Sequence, residues 1–92
     1  SMDTEVSVMN VLEEANDVIK QRGESYGDAP EMYRQIAALW GAWLGCDVTA
    51  KDVANMLIHM KQVRDRVANG HHDSRVDMAG YTAVLDMLEK DA

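Results

Sequence analysis

Apolar residues recur at three- and four-residue spacing in four stretches of the chain, which predicts four amphipathic helices. In the first, Val8, Val11, Leu12, Ala15, Val18 and Ile19 form a stripe that Arg22 continues by one turn. Residues 7–22 are therefore expected to be helical. The segment GESYGDAPE at residues 23–31 is a loop by composition, with two Gly, a Pro and a Tyr. Asp28 suits the cap of a second helix over 30–44, with Pro30 in its first turn and Glu31 placed as in a capping box. Its stripe is Met32, Ile36, Leu39, Trp40, Trp43 and Leu44, and Gly45 is placed to end it. Thr49 and Asp52 open a third helix over 49–68, which Asn69-Gly70 stops. The fourth begins near Asp73 or Ser74, where Ser74 and Asp77 are spaced as a box, and runs over 74–90. No period-2 run supports a strand. The expectation is an all-α, four-helix domain spanning residues 7–92. Residues 1–6 read as a loose terminus in which Ser1 is a tag remnant.

Three charges do not fit this pattern. At about 100° per residue, Val53, Met56, Leu57, Met60, Val63 and Val67 form one stripe, with Arg64 near its centre. On the next helix, Asp73 and Asp77 fall within the face of Val76, Gly80, Ala83, Val84 and Met87. Unpaired interior charge is very costly, so Arg64 is expected to meet the two carboxylates. At i and i+4, Asp73 and Asp77 are within reach of one Mg²⁺, which takes one or two carboxylates with waters and phosphates. The bland alternative is a cap at Asp73 and a structural salt bridge from Asp77 to Arg64. Arg22, Lys61 and Arg64 together would make a basic pocket for phosphate oxygens, although Lys61 alone reads as a solvated stem. Tyr26, in the Tyr-Gly-Asp turn, suits stacking on a base or anchoring the loop.

Composition narrows the partners. A net charge of −7 disfavours nucleic-acid polymers and anionic membranes, which call for a basic footprint. It leaves room for a small nucleotide. With 92 residues, five aromatics and no Phe, the core is shallow, so self-association is expected. Trp40 and Trp43 are expected in part of that interface. The single Cys46 excludes an internal disulfide and a Cys-based zinc site, and it fits a reducing compartment. No signal peptide or membrane-length apolar run is present, so the cytosol is the default location. His71 and His72 lack a third metal partner nearby, and Cys46 lacks a basic neighbour that would activate it.

Taken in order, Arg22-x-x-x-Tyr26-Gly27-Asp28, Ile36-Ala37-Ala38-Leu39-Trp40, Asp52-Val53-Ala54, Lys61-x-x-Arg64 and Asp73-Ser74-x-Val76-Asp77-x-Ala79-Gly80-Tyr81 resemble a family of small phage and prophage proteins of unassigned function. The match covers most of residues 11–85. More distantly, the chain is similar to the MazG-like nucleoside triphosphate pyrophosphohydrolases. That resemblance implies a helical, oligomeric, Mg²⁺-dependent protein with acidic metal ligands, Glu-x-x-Glu on one helix and Glu-x-x-Asp on the next. Here Asp73 and Asp77 stand four apart rather than three. Lys61 and Arg64 occupy the place of the second acidic pair.

Two functions follow as expectations. The first is binding of a nucleotide or another phosphorylated small molecule, extending to Mg²⁺-dependent hydrolysis of (d)NTPs in phage-linked nucleotide metabolism. Asp73 and Asp77 would hold the metal, and Arg22, Tyr26, Lys61 and Arg64 the nucleotide. The second is a non-catalytic oligomeric interaction protein with a structural Arg/Asp network, which the missing acidic pair favours.

Overall fold

The structure, a computed structural model, describes residues 2–91, with side chains described for 10–24 and 27–91. Four helices follow one another: α1 (Met2–Tyr26), α2 (Ala29–Leu44), α3 (Ala50–Val67) and α4 (His72–Asp91). No strand occurs among the described residues. The all-α, four-helix expectation holds.

The ends of the helices show which local signals carry weight. Thr49 and Asp52 form the expected capping box on α3: Thr49 Oγ1 accepts from the Asp52 amide at 3.0 Å, and Asp52 Oδ2 accepts from the Thr49 amide at 2.9 Å. Gly45 closes α2 in the left-handed conformation at φ 72°. Asn69 and Gly70 leave α3 with φ of 54° and 110°.

Four features of the helix ends differ from expectation. α1 begins at Met2 rather than Ser7, because nothing in residues 2–6 interrupts a helix. It also runs through Gly23 to Tyr26. The break falls at Gly27, whose φ of 81° suits a residue without Cβ and whose amide returns to the Gly23 carbonyl at 3.1 Å. Asp28 occupies the cap position of α2, but its side chain makes no cap hydrogen bond. The cap of α4 is neither Asp73 nor a Ser74–Asp77 box. It is the His71 imidazole, whose Nδ1 accepts from the Ser74 amide at 3.2 Å and lies 2.7 Å from Ser74 Oγ.

α4 packs against all three other helices, most extensively on α3, with α1 on its other flank and α2 against α3. The core joins Tyr33 and Ala37 of α2, Val53 and Ala54 of α3, and Val84 and Leu88 of α4. Arg34 to Asp91 at 3.2 Å, and Lys51 to Glu89, tie α2 and α3 to the far end of α4. The resulting body measures 47 × 30 × 22 Å. Its thinnest dimension is about two helix diameters, since a helix with side chains is roughly 10–12 Å across. A layer this thin leaves apolar residues outside. Leu39, Trp43 and Leu44 of the expected α2 stripe are exposed; Met32, Ile36 and Trp40 are only partly buried. The buried positions of α2 are Pro30, Tyr33 and Ala37.

Candidate functional site

The helix wheel for α3 merges two separate stripes. Val53 and Ala54 are buried, and Leu57, Ile58 and Lys61 are partly buried, on the inward side. Met56, Met60, Val63 and Val67 are exposed. Arg64 lies between the two sets on the wheel and is exposed. It makes no ion pair among the described residues, so the expected union of Arg64 with Asp73 and Asp77 does not form. Asp73 is exposed as well.

Asp77 is met instead by two other cations. Its Oδ2 lies 2.8 Å from Lys61 Nζ, and its Oδ1 lies 3.9 Å from Arg22 Nη2. Lys61 and Asp77 are only 12% and 19% exposed, whereas Arg22 is 51% exposed. Lys61 therefore lays its aliphatic stem along the inner side of α3 and delivers its ammonium to α4. The short pair offsets the Asp77 charge. Arg22 stands at a looser distance with half its side chain in solvent. Arg22, Lys61 and Asp77 were all legible candidates, but the cluster assembles around Lys61 rather than Arg64. The side chain of Tyr26 lies outside the described residues.

Arg22 and Asp77 border a pocket between the second half of α1, the α1–α2 turn and α4. Its volume is about 50 Å³. Ile19, Met32, Tyr33, Tyr81 and Val84 supply its apolar walls, and Gly27 and Gly80 lie along it. Tyr33 and Tyr81 are the residues that sequence reasoning missed. Tyr33 departs from the apolar stripe assigned to α2, and only its burial marks it. Burial pushes the Tyr33 phenol from 10.0 up to about 12, reinforced by Tyr81 and Asp77 and opposed by Arg22. The phenol thus stays protonated across the physiological range. Gly80 sits inside α4, where Gly costs about 1 kcal/mol relative to Ala. A Cβ built there meets no atom within 4 Å, so packing does not demand the glycine. Its effect is to leave the pocket wall bare.

A second charged cluster sits at the α3–α4 turn. Asp65 Oδ1 accepts from the His71 amide at 2.7 Å and pairs with Arg75 Nε at 2.9 Å. The His71 hydrogen bond first, and Arg75 second, hold the Asp65 carboxyl below its ordinary 3.8. Ser74 is fully buried beneath His71. This Asp–His–Ser grouping is a turn lock, since the hydroxyl has no access to a substrate. His72 pairs with Glu14 of α1 at 2.9 Å, and Cys46 is exposed.

Mg²⁺ does not fit this donor set as arranged. Both oxygens of Asp77 face cations, and Asp73 stands in solvent. Among the described residues no three His, Cys, Asp or Glu side chains converge.

Comparison with known proteins agrees with the small phage family expected from the motifs. The Gene 55 protein of Mycobacterium phage L5 is 42% identical over 83 residues, covering 88% of this chain and 53% of its own length. The Gene 55 protein of Mycobacterium phage D29 is 36% identical over 80 residues, covering 86% and 53%. The chain thus spans about half the length of these curated relatives, and neither name states an activity. No solved structure matches. The family model described as "Domain of unknown function (DUF6378)" matches residues 10–89, which takes in the whole Arg22–Lys61–Asp77 cluster and its pocket, and the chain belongs to that family.

Proposed function

We propose that the chain is a binding module for a small phosphorylated ligand of the nucleotide class, seated in the pocket beside Arg22 and Asp77. The observation that carries this reading is the charge count at the cluster. Two cations share one carboxylate, leaving a local surplus of one positive charge in a chain of net −7. Lys61 takes up Asp77 at 2.8 Å, so Arg22 keeps its guanidinium fork available for an anion. The apolar walls suit an uncharged portion of the ligand against Tyr33 and Tyr81. A volume of about 50 Å³ is far below the roughly 300–1,000 Å³ of sites that engulf a ligand. Only one edge of the ligand enters, and its phosphates stay at the mouth with Arg22.

The distant resemblance to pyrophosphohydrolases expected from the sequence would add Mg²⁺-assisted hydrolysis, in phage-linked nucleotide metabolism, as an extension of this proposal. Holding the ion at Asp77 would require that carboxylate to release Lys61, so no hydrolytic step is assigned. The second reading, a non-catalytic interaction protein, draws support from Leu39, Trp43, Val63 and Val67, each more than 60% exposed.

A thermal-shift panel separates these readings. Phosphate, pyrophosphate and a deoxynucleoside triphosphate, each with and without Mg²⁺, are added to the parent protein, Arg22→Gln and Gly80→Leu. Site binding raises the parent melting temperature with pyrophosphate or the triphosphate. Arg22→Gln lowers the response, and Gly80→Leu, whose added Cβ meets no atom within 4 Å, removes it, with circular dichroism checking that the fold persists. No shift in the parent protein with any ligand would leave the interaction protein standing.

A further inference from the structure

The outer stripe of α3 points to a second function that is independent of the pocket. Met56, Met60, Val63 and Val67 are 43%, 50%, 62% and 81% exposed. Their spacing is four, three, four, which at about 100° per residue keeps all four within roughly 60° of one another. This is the spacing of a seam between two packed helices, where apolar positions recur every 3.5 residues on average. The same helix already buries Val53 and Ala54 on its inner side. A helix with apolar residues on two sides needs cover on both, and among the described residues α3 packs on α2 and α4 while Met56, Met60, Val63 and Val67 stay exposed.

We propose that this face is the interface of a homodimer, in which α3 packs antiparallel on α3 of a second copy. Two observations select that occupant. The first is area. A folded monomer of 10.3 kDa should expose about 5,400 Å², whereas this chain exposes 6558 Å². The excess of roughly 1,200 Å² belongs to the whole surface, of which the exposed α3 stripe is a part, and a standard stable interface takes up ~800 Å² per partner. The second is charge. α3 carries Asp52 in its first turn and Arg64 and Arg66 in its last. Lys51, also in the first turn, is taken up by Glu89, and Asp65 is taken up by Arg75. An antiparallel copy therefore sets the acidic end of each helix beside the basic end of the other. A parallel copy would stack like on like, and it would align the helix dipoles unfavourably. This assignment also gives exposed Arg64 a role, at the flank of the seam. The second helix with Trp40 and Trp43, expected from the sequence as part of the interface, carries a separate exposed patch of Leu39, Trp43 and Leu44 that this arrangement does not use.

Sedimentation velocity over a concentration series tests the dimer, with Met60→Glu and Trp43→Glu as paired variants. Circular dichroism serves as the control for folding. The parent protein should sediment as a dimer. Met60→Glu should raise its dissociation constant on the order of 30-fold or more, the loss expected at an interface hot spot. Trp43→Glu should leave the constant unchanged. Orientation is read in a Cys46→Ser background. Met56→Cys mixed with Val67→Cys should cross-link across the pair, whereas neither variant alone should cross-link to itself. A monomer at every concentration would overturn the proposal. So would a dimer broken by Trp43→Glu but not by Met60→Glu, and self-cross-linking of either cysteine variant would overturn the antiparallel arrangement.

Discussion

Two clusters of charge lie between α3 and α4, and they differ in stoichiometry. At the turn, one carboxylate, Asp65, meets one guanidinium, Arg75, and also accepts the His71 amide. Charge cancels, and every group is held within one short stretch of chain. One turn earlier on α3, Lys61 joins Arg22 around Asp77, so three helices contribute and one positive charge is left over. The turn cluster sets how α3 hands over to α4. The Asp77 cluster sits beside a pocket and keeps a cation half in solvent. The contrast teaches that pairing alone does not mark a site. A surplus charge beside an opening is what supports the proposed site.

The largest effect that would sharpen the contrast is at Asp77. Asp77→Ala leaves the largely buried Lys61 ammonium unpaired and should cost about 3 kcal/mol, at the low end for breaking a buried pair. Adding Lys61→Met should recover most of that loss, because an apolar side chain of similar length replaces the stranded charge. Urea denaturation of the single and double variants measures both. An Asp77→Ala protein as stable as the parent would mean that the pair is not enclosed.

Next comes the cap at the turn. His71→Ala removes the acceptor of the Ser74 amide and leaves the buried Ser74 hydroxyl without its partner. A loss of about 2 kcal/mol is expected, within the range for an unsatisfied buried polar group. If the loss were only a few tenths, the turn would not depend on the imidazole.

Asp65 gives a pH signature. Its folded-state pKa lies below the ordinary 3.8. Its contribution is therefore fully present above 3.8 and disappears as the pH falls through the lower folded-state value. Asp65→Asn should lower the melting temperature at neutral pH, and the gap to the parent should close in strong acid. A gap independent of pH would assign the effect to something other than the ionised carboxylate.

The smallest effects distinguish two helix starts. Thr49→Ala breaks a complete capping box and should cost about 1 kcal/mol. Asp28→Ala removes a side chain that makes no cap bond and should stay within about 0.5 kcal/mol, as surface changes usually do. Equal losses at the two positions would show that Asp28 caps α2 in solution.

Local signals were the most legible part of the sequence. Thr49-x-x-Asp52, Gly45 and Asn69-Gly70 act over one helical turn, and each does what its chemistry predicts. Face assignment was less legible where a helix carries apolar residues on two sides. On α3 the wheel averaged the buried Val53 and partly buried Leu57 with the exposed Met56, Met60, Val63 and Val67. The resulting centre fell at Arg64, between the stripes, and drew attention away from Lys61. At the site, Arg22 and Asp77 stood out because charges on an inward face need partners, whereas Lys61 taken alone read as a solvated stem. Tyr33 did not, since a tyrosine off the assigned stripe looks the same in sequence whether it is wet or buried. Asp28 illustrates a further limit. Its type and position suit a cap, but a side-chain rotamer decides whether the bond forms.

The central claim is that the pocket beside Arg22 and Asp77 binds a phosphorylated ligand. Titrating the uniformly ¹⁵N-labelled protein with a deoxynucleoside triphosphate tests it most directly, by following backbone amide shifts. Binding at the site moves Gly23, Gly27, Asp77, Gly80 and Tyr81 together along one saturable curve, and Arg22→Gln flattens that curve. Shifts confined to the outer face of α3, or no saturable shift at any amide, would contradict the claim.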